Sequence, residues 1–211
     1  MFIDREDAGK KLADELEQFK YEDSIVLSIP RGGIVTAYEA IKKHGLNWDL
    51  IIPRKIGAPN NKEVAIGAVT SDGTYFVDEK YVDILNISED YIHKEVIEQT
   101  NEISRRLEKY KGSKEFPKVN NKTVIIVDDG IATGFTILAA IKSVKEHGAK
   151  KVIVAVPVAP LDTVVLLKNS VDKVICLLIP NEFYAVGLHY KNFNQVTDKE
   201  VFNILEELRN N

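Results

Sequence analysis

Two adjacent carboxylates, Asp128 and Asp129, end an apolar run and are followed at once by a turn rich in glycine and threonine: VIIVDDGIATGFT over residues 124–136. The run Val124 to Val127 has the character of a buried parallel strand. Ile137, Ile141 and Val144 then recur at i, i+4 and i+7, the spacing of one helix face. A strand, a tight loop and a helix in that order present unpaired backbone N–H groups at the helix N-terminus, where a phosphate is favoured. Gly130 and Gly134 allow close backbone approach, and the hydroxyls of Thr133 and Thr136 add hydrogen bonds. A phosphate alone has no use for two neighbouring carboxylates. A ligand that also carries hydroxyls or a divalent cation does, and a ribose 5-phosphate with its 2′,3′-diol meets both needs. The turn is not a Walker loop, because its glycines are one residue too close and Phe135 stands where that loop needs lysine.

Three other segments leave apolar runs: Pro30-Arg31-Gly32-Gly33, Pro53-Arg54-Lys55-Ile56-Gly57, and PNEFYAVG from Pro180 to Gly187. In an open parallel sheet the C-terminal strand ends share one edge, and ligands sit there. Arg31 with two flexible glycines and a helix start suits a second anion. Arg54 and Lys55 offer another basic pair. Phe183 and Tyr184 offer rings, and a stacked ring is worth roughly 0.5–1.5 kcal/mol beyond its burial.

The elements that must position these groups alternate. Asp4 opens a helix with Ala8, Leu12, Leu16 and Phe19 on one face. Strands are expected at 24–29, 49–53, 123–128, 151–157 and 173–179, with helices at 33–44, 134–147 and near 161–169. Thr197 and Glu200 make a capping box for a last helix ending near Leu208. The fold class is therefore α/β: an open, mainly parallel sheet with helices on both faces. One domain, 1–211, is expected, interrupted at 56–120 by a hairpin turning at Ser71-Asp72-Gly73 and a long helix capped by Ser88 and ended by Gly112. That insertion reads as a lid.

With 28 basic and 32 acidic residues the chain carries a net charge of −4, which argues against nucleic acid or an anionic membrane as main partner. No apolar run reaches a membrane span and no signal-peptide core opens the chain, so a cytoplasmic protein is expected. Cys176 is the only cysteine and reads as a buried thiol. His44 and His147 each precede a glycine at a helix end, and the four histidines form no ligand set.

The 124–136 stretch resembles the motif by which type I phosphoribosyltransferases bind 5-phosphoribosyl 1-pyrophosphate (PRPP). The resemblance implies that Asp128 and Asp129 hold the ribose diol, with magnesium met through water, and that Gly130, Ile131, Ala132, Thr133, Gly134, Phe135 and Thr136 wrap the 5-phosphate. SIPRGG is similar to the pyrophosphate loop of the purine enzymes, which assigns Arg31, Gly32 and Gly33 to the leaving group, joined by Arg54 and Lys55. Residues 177–190 resemble the C-terminal segment of hypoxanthine-guanine enzymes, which makes 177–195 a hood, so Phe183, Tyr184, Ala185 and Val186 would receive a base, with Tyr184 the better match by spacing. The family's activity would follow: transfer of phosphoribose to a nucleobase, a 6-oxopurine favoured, with pyrophosphate released. Asp128, Asp129 and Arg31 are the catalytic candidates, and a homodimer is the expected assembly. The chain departs from the purine pattern at Ala132, where those enzymes carry a proton-handling aspartate, and at Leu188-His189-Tyr190, where a later aspartate is common. A PRPP-sensing regulator without turnover is the alternative. A Rossmann oxidoreductase is excluded by the missing G-x-G-x-x-G turn.

Overall fold

A computed structural model describes residues 1–210. Five parallel strands form the main sheet in the order β2-β1-β6-β7-β8: β1 Ser24–Ser28, β2 Asn47–Leu50, β6 Thr123–Val127, β7 Lys151–Val158 and β8 Lys173–Leu178. Every residue of β1 and β6 is buried, as continuous apolar runs in central strands require. The pleat then sorts side chains by parity. Val26, Ile125, Val127 and Ile153 face helices α1 (Arg5–Leu16), α2 (Gly32–His44) and α7 (Asp198–Arg209), whereas Leu27, Val124, Ile126 and Val154 face α5 (Phe135–Glu146) and α6 (Leu161–Lys168). The helix ends match the residues read for them. Asp4 accepts from the Asp7 amide, Gly45 and Gly148 take left-handed conformations after α2 and α5, and Thr197 with Glu200 forms a complete capping box.

From β1 the chain runs to β2 on one side, and from β6 it runs to β7 and β8 on the other. The winding reverses between β1 and β6. The loops after these two strands, 29–31 and 128–134, therefore open into the same crevice, where open α/β sheets bind ligands.

The insertion differs from its expected form. The strand expected over 49–53 ends at Leu50, and Arg54 and Lys55 begin a new strand, β3 (Arg54–Ala58), in a separate antiparallel sheet with β4 (Asn61–Val69) and β5 (Tyr75–Val77). The Ser71-Asp72-Gly73 turn joins β4 to β5 as read, and its tip is bound to α5: Ser143 donates to Asp72 at 2.8 Å and Thr74 to Glu146 at 2.8 Å. A short helix, α3 (Glu79–Ile84), capped by Asp78, was not expected. The long helix α4 (Glu89–Lys111) keeps its Ser88 cap and Gly112 end, and it buries Ile103 and Leu107 in the same core as α1 and α2. In this structure the insertion is a packed part of the domain. Cys176 is only partly buried, and its burial raises the thiol pKa.

The segment after β8 returns across the N-terminus. The Phe2 amide donates to the His189 carbonyl, and the amides of Lys191 and Asn192 donate to Phe2 and Ile3. Phe2, Ala8, Val158 and Tyr190 form a small core of their own beside the strand ends.

Candidate active site

Asp128 and Asp129 stand at the end of β6, and the glycines of the 28–33 loop press directly against them. A Cβ on Gly32 would lie 1.8 Å from Asp129 Oδ2, and one on Gly33 would lie 2.7 Å from the Val127 carbonyl oxygen. Both positions admit glycine alone, for want of space. The Asp129 amide donates to Asp128 Oδ1 at 2.8 Å. Desolvation first, and the Asp129 charge second, hold the Asp128 carboxyl well above the usual carboxylate range. Asp129 is paired differently, with Arg5 Nε at 2.6 Å from its Oδ2. The Tyr190 hydroxyl donates to the Asp129 carbonyl at 2.5 Å.

The turn after the acids lines a cavity of about 160 Å³ with Lys55, Asp128 and residues 130–136. Gly134 has φ 81° and caps α5, whose first-turn amides have no acceptor within the helix. Thr133 is exposed and Thr136 half-buried. Two members of the turn contribute less than expected. The Ile131 amide is already spent on the Val158 carbonyl at 2.9 Å, and its side chain is in the core. The Phe135 ring is also core, packed near Phe76 and Tyr81 at centroid distances of 5.7 and 6.4 Å. Apolar side chains in a loop beside a sheet turn inward, and these two anchor the turn from its core side. The Ala132 carbonyl accepts from Thr163 at 2.6 Å, which fixes the loop from the α6 side.

The basic residues separate. Lys55 faces the loop cavity, whereas Arg54 turns to α4, donating to Gln99 at 2.8 Å and lying 3.8 Å from Glu102. Burial first, then the Arg106 charge, lowers the Arg54 pKa. Glu102 is shared with Arg105 and Arg106, at 2.7 and 3.0 Å, and these two pull its carboxyl down to about 2. Arg31 lies 3.6 Å from Asp198, the first residue of α7, which also holds Lys109 and the Tyr110 hydroxyl of α4. One face of α4 thus reaches Arg54 directly and Arg31 through Asp198. Arg105 and Arg106 read as surface charges in the sequence; their place beside Arg54 comes from the packing of α4.

In the hood, Val186 closes on the 130–136 turn: a Cβ on Gly130 would meet its Cγ1 at 2.4 Å. Phe183 stacks on His189 with centroids 5.3 Å apart, while Tyr184 is 79% exposed and Ala185 is exposed. A larger cavity of about 710 Å³ lies elsewhere, lined by Trp48, Asp49, Lys111 and Phe116, and holds none of the converging groups. Asp128 and Asp129, the two acids expected to meet magnesium through water, stand side by side at the end of β6. Among the described residues no cluster of three or more His, Cys, Asp or Glu is placed to hold a metal ion, and Asp129 already has a cationic partner.

Arg5 and Tyr190 are the contacts the sequence did not reveal. Neither residue carries a local signal of this role, and only tertiary packing brings either to Asp129.

Comparison with known proteins agrees with this geometry. The profile of the phosphoribosyl transferase domain matches residues 3–192. A Mycobacterium tuberculosis protein named "putative phosphoribosyl transferase" is 37% identical over 206 residues, which cover 98% of this chain and 46% of the relative. The chain therefore spans about half the length of the curated relatives it matches first. The crystal structure of TT1426 from Thermus thermophilus superposes with a TM-score of 0.82 at 37% identity, covering 98% of both chains. The AQ2163 protein from Aquifex aeolicus shares the fold at a TM-score of 0.52 and 13% identity, over 87% of this chain and 78% of that one.

Proposed function

The chain belongs to the phosphoribosyl transferase domain family, and on that premise we propose that it transfers the 5-phosphoribosyl group of PRPP to a nucleobase nitrogen and releases pyrophosphate. One observation carries the reading. The glycines of the Arg31 loop lie against the acid pair at the β1–β6 crevice, so an anion held by that loop and a sugar held by the acids would be neighbours. The C1–oxygen bond to pyrophosphate breaks as the C1–nitrogen bond forms, and positive charge develops on the ribose ring. Placement of charge then matters more than a strong nucleophile. The α5 N-terminus with Thr133 and Thr136 would hold the 5-phosphate, the acid pair the diol, and Arg31 the diphosphate, which brings magnesium as its own counter-ion.

A 6-oxopurine is the proposed acceptor. Tyr184 is free to stack on it, Phe183 being engaged with His189. With Ala132 in the turn, no side chain there takes the purine proton, so bases that lose a proton readily, such as xanthine, should react fastest. Pyrophosphate release should be greater with xanthine than with adenine or uracil, and Tyr184→Ala should reduce it more than Phe183→Ala. A preference for adenine or a pyrimidine refutes the acceptor and leaves the sugar-phosphate site standing.

Ala132 also favours a second reading, a PRPP-sensing regulator. Both readings predict that PRPP stabilises the protein, by about 2.7 kcal/mol at a hundredfold excess over Kd, or roughly 5–10 °C. Asp128→Asn with Asp129→Asn should remove most of that shift, and its persistence would refute the diol assignment. Tight PRPP binding without turnover on any base would select the regulator.

A further inference from the structure

Arg5 sits in the first turn of α1, yet its side chain is only 11% exposed. Its Nε donates to Asp129 Oδ2 at 2.6 Å and its Nη1 to the Asn194 carbonyl at 2.8 Å, and its guanidinium lies 3.7 Å from the centroid of the Phe193 ring. Gly32 closes the remaining side, since a Cβ there would stand 2.9 Å from Arg5 Nε. The partners come from the start of α2, the β6 end and the hood. An arginine held from this many directions is a fixture. Swinging it out would strand a desolvated carboxylate, a change that costs several kcal/mol in buried pairs. Asp129 Oδ2 is therefore committed to the guanidinium, which leaves Oδ1 as the oxygen open to the neighbouring Asp128 carboxyl or to a ligand.

We propose that Arg5 is a positioning residue for Asp129 and the fixed counter-cation of the acid pair. It turns Oδ1 toward a ribose hydroxyl and supplies at Asp129 the positive charge that a free divalent ion would otherwise bring. The inference rests on the reading of the Asp128–Asp129 turn as a ribose-phosphate site. Tyr190 completes the arrangement from the main-chain side, through its hydrogen bond to the Asp129 carbonyl. Two properties follow. Binding of the ribose portion needs no metal, and lysine at position 5 replaces the charge but not the planar fork.

Titration calorimetry on the full chain, with ribose 5-phosphate and inorganic phosphate and with or without magnesium, tests this. Wild-type protein should bind ribose 5-phosphate more tightly than phosphate, equally with and without magnesium. Arg5→Gln should weaken ribose 5-phosphate about tenfold, the scale on which outer partners of a ligating carboxylate act, and leave phosphate unchanged. Arg5→Lys should recover part of the loss. Tyr190→Phe keeps the ring and its packing, and should show the same selective loss at about threefold. Unchanged ribose 5-phosphate binding in Arg5→Gln and Tyr190→Phe overturns the proposal, as does an equal loss for both ligands. A large gain with magnesium in the wild type overturns the counter-cation role. If the wild type does not prefer ribose 5-phosphate to phosphate, the ribose reading itself fails, and the role of Arg5 falls with it.

Discussion

Replacing Glu102 by glutamine removes the carboxylate that three arginines share: Arg105 at 2.7 Å, Arg106 at 3.0 Å and Arg54 at 3.8 Å. Arg105 is open to solvent, and the Arg54 and Arg106 pairs also reach it, so these two contribute only about 0.2–1 kcal/mol each, about 1–2 kcal/mol together. For a chain of this size that loss lowers the melting temperature by roughly 2–8 °C at neutral pH. Its pH dependence is set by the depressed carboxyl, which Arg105 and then Arg106 hold at about 2. A folded-state pKa below the unfolded value gives stability that is complete above the unfolded pKa, ~4.3, and lost as pH falls through the folded one. The gap between wild type and variant should therefore close between roughly pH 4.5 and 2. Anion binding should move the other way. At a separation of about one Debye length, ~8 Å, removing one negative charge is worth about 0.5–2 kcal/mol to a bound anion for an effective dielectric between ~80 and ~20, or a roughly two- to thirtyfold tighter Kd. Calorimetry at low salt should show pyrophosphate gaining this much and ribose 5-phosphate little, with the gain shrinking as salt is added. A variant that loses stability and gains no affinity for pyrophosphate would show that Arg54 and its neighbours are structural, and would remove Arg54 from the leaving-group site.

Gly130→Ala would drive a Cβ into Val186 at 2.4 Å and cost about 1–3 kcal/mol by urea denaturation; adding Val186→Ala should return part of it, and strict additivity would refute the contact. Thr133→Val and Thr136→Val should weaken ribose 5-phosphate and PRPP alike. Arg31→Ala should spare ribose 5-phosphate and weaken PRPP and pyrophosphate, so equal losses for all three ligands would contradict the division into two anion sites.

What could be read in the sequence was whatever a few neighbouring residues decide. Asp128 to Thr136 is consecutive, and a strand, a turn and a helix start need no distant partner to be recognised. The continuous apolar runs of β1 and β6 announced buried parallel strands, and Asp4, Ser88 and Thr197 capped the helices they were read to cap. Side-chain destinations were another matter. Phe135 belongs to the turn by position and to the core by packing, because α5 must bury a ring against Phe76. Arg54 and Lys55 are adjacent in the chain and diverge in space, since successive residues of a strand point to opposite faces. That they lie on a strand was hidden because Pro53 and Gly57 frame them like a loop, and Gly57 sits at a register shift in β3. The tightest contacts to the acid pair had no local signal at all.

Those contacts also set an order of assembly. Arg5 and Asp129 are 124 residues apart in the chain, and Tyr190 lies 61 residues beyond Asp129. During synthesis α1 and β1 emerge well before β6, which can then join the growing sheet through neighbouring strands alone. The segment from Tyr190 to Asn194 emerges later still, and until it arrives Asp129 lacks its main-chain tether and Arg5 lacks both the ring it lies over and the carbonyl it holds. Closing such distant contacts comes late because the loop entropy must be met first. A nascent chain can thus possess a finished sheet and an unfinished pocket, and the proposed ribose site is completed only with the segment that carries Tyr190.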